Sequence, residues 1–411
     1  MLTSAVDRQS RLLRLADGLA VAVAVSLPWS ITATGILVVL WLIAALSILD
    51  RASLRQTLVF PAALLPLAFC ALAAAGIFWA TADWADRFGD FKVFLRLLVI
   101  ILLLVQFQRS SRGSWVLIGF LISCSALMGL SWLQWFFPAL DLRGSMPGVP
   151  VKDYIIQSGE FLICAFALLH LSVDGWSRAR RWQAIMLGFL ALLFLANIAF
   201  VAAARSVLVI FAVLVIVFGL QRFGWRGAVG IIVVAATFSS VAWTLSPYLR
   251  ARVIGTLTEI QDYRHKQAET SAGYRLDFWR RSIEIVSRAP ILGHGTGSLY
   301  EQFRQVVEPG KGIAAVVTNN PHNQTLTVAI QLGLVGVALL YAMWIAHLML
   351  FHGSGLPAWL GSGVVIHNIG AGLFNAQLFE ATLGWVYIFG VGVLGGMLLR
   401  ARREQAGKPQ A

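Results

Sequence analysis

SPYLRARVIGTLTEIQDYRHKQAETSAGYRLDFWRRSIEIVSRAPILGHGTGSLYEQFRQVVEPGKGIAAVVTNNPH, residues 246–322, is the long polar interruption in a chain otherwise built of apolar runs. It holds 10 of the 32 lysines and arginines and 7 of the 19 acids. The rest of the chain has a different character. Over all 411 residues, 58% are hydrophobic and only 12% charged, with a mean hydropathy of +0.77. Soluble domains carry about twice that charged share, so the composition implies an all-α polytopic membrane protein with one large loop.

Outward from the loop, apolar segments lie at about 13–27, 31–49, 59–81, 92–107, 115–137, 153–173, 182–201, 205–220 and 227–246, and then at 324–350, 356–374 and 378–400. That predicts about twelve transmembrane helices, each near the roughly 20 residues a bilayer core requires. The expected organisation is 1–246 for helices 1–9, 247–322 for the loop, 323–400 for helices 10–12 and 401–411 for a tail. The first run is followed by many others and reads as a span, not as a cleaved signal peptide. Cys70, Cys124 and Cys164 all fall inside spans, which indicates neither a disulfide framework nor a thiolate metal site.

Charge counting orients the chain. With the N-terminus inside, the turns holding Arg51 and Arg55, Arg109 and Arg112, Arg178, Arg180 and Arg181, and Arg222 and Arg226 all fall on the cytoplasmic side. Arg400, Arg402 and Arg403 follow the last span on that side, while Asp83, Asp86 and Asp90 fall on the other. Both termini are then cytoplasmic and the 246–322 loop is outside, which in a bacterium means the periplasmic face. Much of the net charge of +13 is explained this way, and nucleic acid is not an expected partner.

Within the loop, GYRLDFWRRSIEIVSR sets Leu276, Trp279, Ile283 and Val286 at helical spacing, predicting an amphipathic helix. Pro290 ends it, a glycine-rich turn follows, and LYEQFRQVV makes a second short helix. Arg280 and Arg281 are expected on a solvated face. The turn GHGTGS (293–298) lacks the lysine of a P-loop, so a tight structural turn is preferred to a phosphate cradle.

Three residues invite chemistry. Arg205 stands at an outward boundary, where positive-inside bias disfavours arginine; it is either an interfacial snorkeller or the holder of an anion. Arg275 opens the loop helix, and a planar guanidinium there can grip a phosphate bidentately. His322, in NNPHNQ (319–324), is either a structural residue or a general base suited to neutral pH. Asn320, Asn323 and Gln324 could orient that ring, hold sugar hydroxyls or cap the next helix. Arg96 and Glu160 are charges within or beside spans that could line a lipid-phosphate groove or form an ion pair. His367 and Asn368 read as interhelical hydrogen-bonding residues.

AAARSVLVIF (202–211), AGYRLDFWRRSIEIVSRAPILGHGTGSLYEQF (272–303) and PHNQTLTVAIQLGLVGV (321–337), in that order, resemble the signature region of bacterial O-antigen ligases and the related O-antigen polymerases. The resemblance covers about residues 190–345. It implies a fold like that of the C-type membrane glycosyltransferases and an enzyme that transfers glycans from undecaprenyl diphosphate at the periplasmic face of the inner membrane. It implies no cofactor: no nucleotide sugar, metal or ATP. By the same resemblance His322 is the base, Arg205 and Arg275 hold the diphosphate, the anomeric centre inverts, and the acceptor is the lipid A-core oligosaccharide. The alanines before Arg205 depart from relatives that often carry Ser or Thr there. The polymerase is the near alternative. A polytopic transporter is the distant one, since transporters place functional charges near the bilayer midplane and not at one face.

Overall fold

The structure, a computed structural model, describes residues 2–140, 146–266, 268–307 and 312–406, and side chains from residue 9 onward; residues 407–411 of the expected tail lie outside that range. Regular structure among the described residues is helical throughout. In chain order the helices are α1 (Leu2–Ser26), α2 (Ile31–Ser47), α3 (Arg51–Leu58), α4 (Pro61–Gly76), α5 (Trp84–Leu95), α6 (Leu98–Arg109), α7 (Gly113–Phe136) and α8 (Tyr154–Ser177). Then come α9 (Arg181–Phe200), α10 (Arg205–Leu245), α11 (Pro247–Lys266), α12 (Ser271–Arg288), α13 (Leu299–Gln305), α14 (Gln324–Leu350), α15 (Leu356–Gly372) and α16 (Ala381–Ala406).

Helices α7, α8, α9, α10, α14 and α16 are long and apolar enough to cross a membrane, and α2 with α3 forms a pair bent by 108°. Large apolar side chains such as Ile122, Phe189, Val234 and Met349 remain exposed around the bundle, as a hydrocarbon surrounding requires. The protein is a polytopic all-α membrane protein. Helix starts follow local chemistry: Asp153 caps α8 by accepting from Ile155 N (2.8 Å), and Asn323 caps α14 by accepting from Leu326 N (3.0 Å).

Two breaks shape the bundle. In α10 the backbone leaves helical geometry at Gly224 (φ 67°, ψ −168°), and the second half folds back on the first. Gly219 meets Ala228 across the bend, and Ser246 Oγ donates to Ala199 O (2.9 Å) at the far end. The apolar segments 205–220 and 227–246 are the two arms of this hairpin. Arg222 anchors the bend: its guanidinium lies 4.0 Å from the Trp359 ring and donates to His170 Nδ1 (2.8 Å) and Asp174 Oδ1 (2.6 Å).

The second break is at Gly333 in α14 (φ 60°, ψ −161°). The carbonyls it frees at Ile330 and Gln331 accept from His294 N and Gly295 N (both 2.8 Å). The N–H groups of Leu334 and Val335 donate to Pro290 O (2.8 Å) and Ile291 O (3.2 Å). Thr296 then bonds the end of α4, Oγ1 to Ala73 O (2.6 Å) and N to Gly76 O (3.1 Å). The GHGTGS turn is therefore a clasp between the loop and the bundle, and it re-satisfies backbone groups that a broken helix would leave bare.

The structure corrects the reading of α12. Its buried face is Gly273, Asp277, Phe278, Arg281, Ser282 and Ile285, while Ile283 is 63% exposed. Arg281 is not solvated: it is 2% exposed, pairs with Asp277 (2.6 Å) and donates to Val316 O (2.9 Å). The irregular segment at 313–318 has carbonyls that need a donor, and a charge-assisted one outweighs the apolar periodicity. Several helices are shorter than their apolar runs: α4 ends at Gly76, and 92–107 is divided between α5 and α6 around Arg96.

Gly333→Ala should lower the thermal midpoint in detergent, corresponding to about 1–3 kcal/mol, because a Cβ there would collide with Ile291 and the φ is positive. An unchanged midpoint would remove the clasp as a stabilising feature.

Candidate active site

At the end of the bundle covered by α11–α13, Arg205 is the first residue of α10, and the α9–α10 turn presents it to α11. Its guanidinium takes Glu259 of α11 in a bidentate pair, Nη1 to Oε2 at 2.8 Å and Nη2 to Oε1. Glu259 Oε2 also accepts from Ala272 N (3.1 Å) in the first turn of α12, a position whose N–H has no helical partner. The anion inferred for Arg205 is thus supplied, in this structure, by the chain itself. The bond to Arg205 holds the Glu259 carboxyl below its ordinary value.

Arg275 follows one turn along α12 and is half-buried. Burial pushes its pKa down, Tyr154 and Glu259 draw it up, and the like charge of Arg205 pushes it down again. Arg252 of α11 is a further cation here, 4.5 Å from the Tyr154 ring and 5.6 Å from that of Tyr248. One carboxylate, Glu259, interacts with both Arg205 and Arg252.

His322 stands at φ +53°, a left-handed conformation that non-glycine residues rarely adopt. Its surroundings impose it. His322 N donates to Asn320 Oδ1 (2.9 Å), Trp279 Nε1 donates to Pro321 O (3.0 Å), and the imidazole stacks on Phe278 with 6.3 Å between centroids. Strain of this kind gathers at sites where a side chain must be aimed. The ring Nδ1 lies 3.1 Å from Asn375 Oδ1, and Asn375 Nδ2 donates to Glu380 Oε1 (2.9 Å). Burial lowers the His322 pKa below 6.5, Arg275 lowers it further, and the Asn375 bond acts against both.

Arg205, Arg275 and His322 therefore sit at one end of the bundle, with Arg275 in electrostatic contact with the other two. Asn320 joins them, its Nδ2 donating to Asn375 Oδ1 (3.1 Å). Asn323 is engaged with the backbone at Leu326 and Leu373, and Gln324, fully buried, accepts from Leu378 N (2.8 Å). Arg96 lies 5.7 Å from the Trp385 ring, with Nη1 buried and unbonded. Glu160 is buried in the second turn of α8 with neither carboxylate oxygen hydrogen-bonded. Asn368 accepts from Trp344 Nε1 (3.1 Å).

Sequence reasoning missed Glu259, Arg252, Tyr154, Asn375 and Glu380. The last two lie in the short polar gap LFNAQLFE (373–380), which the predicted topology puts on the same side as His322. That shared side was the available signal. Chemically, the cluster offers cations that hold an oxyanion and a neutral imidazole that can take a proton.

Residues 189–341 match the family model described as O-Antigen ligase. An uncharacterized protein of Haemophilus influenzae is 27% identical over 164 residues, which is 38% of this chain and 41% of that protein. The matched region thus spans less than half of that relative's length. The family match runs from α9 into α14 and contains Arg205, Glu259, Arg275 and His322, whereas Asn375 and Glu380 lie beyond it. The stretch that carries the arginines and His322 is thus similar to the O-antigen ligase family over residues 189–341.

Proposed function

We propose that this protein is the ligase that moves O-antigen polysaccharide from undecaprenyl diphosphate onto lipid A-core oligosaccharide in lipopolysaccharide biosynthesis. The observation that carries the reading is Arg205, already holding a carboxylate, with Arg275 in electrostatic contact with it and with a His322 whose pKa burial and Arg275 push down. His322 removes the proton of an acceptor hydroxyl, whose oxygen attacks the anomeric carbon from the face opposite the diphosphate. The bond from that carbon to the diphosphate oxygen breaks, and the electron pair leaves with undecaprenyl diphosphate. Arg205 and Arg275 stabilise the developing charge, so inversion follows and no metal is required for departure. Asn320 orients the base in this scheme. The backbone engagements of Asn323 and Gln324 support a structural part for them, and Arg96, beside Trp385, would line a lipid-phosphate groove.

Twelve crossings are proposed: α1, α2, α4, α5 with α6, α7, α8, α9, the two arms of α10, α14, α15 and α16. Both termini are then cytoplasmic, residues 247–322 form the periplasmic cap, and the protein is multi-pass in the inner membrane. The sorting of contacts supports this. Arg222 with Asp174, Arg109 with Asp50 and Arg402 with His352 O gather at one end, and the Arg205–His322 cluster at the other. Ten cationic against seven acidic residues in 246–322 favour a phosphorylated acceptor, and hence the ligase over the polymerase.

A strain lacking the gene should lose the lipopolysaccharide ladder while long polymer accumulates on undecaprenyl diphosphate. Transfer of single repeat units with no longer chains would instead identify a polymerase. His322→Ala should cut transfer by about 10²–10⁴-fold, and wild-type activity sinks the base assignment. Since the base acts when deprotonated and its pKa is lowered, transfer should be on its plateau at pH 7 and decline only below the ordinary histidine range. For topology, in a background without Cys70, Cys124 and Cys164, Ser287→Cys should react with a membrane-impermeant maleimide in intact spheroplasts and Ser177→Cys should not. Both positions are exposed, so the reverse pattern would invert the orientation.

A further inference from the structure

We infer that Asn375, held by Glu380, is a positioning residue that fixes which nitrogen of His322 carries the proton. The inference rests on the reading of His322 as the base. The argument begins with the two neighbours of Asn375 whose roles are settled. The backbone N–H of Ala376 can only donate, and it points at Asn375 Oδ1 (3.0 Å). An ionised Glu380 carboxylate can only accept, and it faces Asn375 Nδ2 (2.9 Å). Together they fix the orientation of the amide, with its oxygen toward His322 and its nitrogen away.

An amide oxygen 3.1 Å from His322 Nδ1 requires Nδ1 to be the protonated nitrogen. Nε2 then keeps its lone pair and is the atom that takes the acceptor's proton. Asn320 Nδ2 donates to the same oxygen (3.1 Å) while its own Oδ1 accepts from His322 N (2.9 Å), so the two amides brace ring and backbone together. The charged group acting directly on the ring is Arg275 of α12, which opposes a second proton, and the face of Phe278 is uncharged. Glu380, in the α15–α16 connection, is bonded to the ring only through Asn375. Burial raises its pKa, the bond from Asn375 lowers it and the nearby Asp153 raises it again, so acid weakens the charge-assisted anchor of the amide as well as protonating the base.

The test uses the full-length protein in detergent or liposomes with lipid-linked donor and acceptor saccharide, reading kcat, KM and the pH profile. Asn375→Leu should lower kcat about 10–100-fold with KM within about twofold, since a positioning residue acts on the base and not on binding. Asn375→Asp should restore most of the kcat at high pH and move the acid limb upward by about one pH unit, because a carboxylate on Nδ1–H favours the imidazolium. Glu380→Gln keeps an acceptor oxygen for Asn375 and should lose less kcat than Glu380→Leu. This pair reads the same chain without altering Asn375 if Asn375→Leu fails to give monodisperse protein. His322→Ala serves as the control. If it stays active, the base reading itself falls. If it is inactive while Asn375→Asp leaves the acid limb in place, or Glu380→Gln and Glu380→Leu match, the positioning inference is overturned and the base reading stands.

Discussion

Backbone groups cannot be left unbonded in an apolar medium, and the break at Gly333 in α14 exposes four of them. The turn from Pro290 to Gly295 satisfies all four in one reciprocal arrangement, and Thr296 carries the attachment on to α4. The polar segment is thereby fastened to the bundle at its middle as well as at its two ends. This fastening is what gives α12 a fixed height above the α9–α10 turn. Arg205 and Arg275 belong to different helices 70 positions apart, and only a rigid cap can hold them in register.

The same economy of backbone bonding explains the other irregular features. Arg281 and Asp277 form a buried pair under the cap because the chain leaves its short 3-10 turn (Ile313–Ala315) at Val316, whose carbonyl needs a donor. His322 adopts a conformation that a histidine ordinarily avoids because Asn320 and Trp279 bond both polar groups of the peptide unit that precedes it. In both places an unfavourable local choice is maintained by several hydrogen bonds. In both, the result is a side chain whose direction is set before any ligand arrives.

Apolar length was readable in the sequence, and so was the alternation of arginine-bearing turns, because both are local properties. A helix stands at each of the twelve apolar stretches, although only part of them meet the length and composition of a membrane crossing by themselves. The face of α12 was misread because period-based reasoning ranks apolar residues and cannot anticipate that a neighbouring loop will demand a buried guanidinium. Glu259 was invisible for a related reason: an acid on a polar helix looks solvated until another helix brings an arginine to it. Asn375 lies 53 residues beyond His322, and the two are neighbours only because α14 and α15 form an antiparallel pair. The order of helices along the chain was legible, and pairing across the bundle was not.

The Glu259 carboxylate has a consequence for how the site would cycle. A bare pair of arginines would be a trap for any phosphorylated lipid, product included, because nothing would compete for them once they were filled. Here the competitor is tethered to α11, where its effective concentration does not fall on dilution. On the proposed reaction, the arriving diphosphate exchanges with a resident counter-ion, so binding reflects a difference between two attractions. On the same proposal Glu259, returning to Arg205, would displace the spent carrier in turn. The site then works as an ion exchanger that resets itself, with turnover favoured over retention.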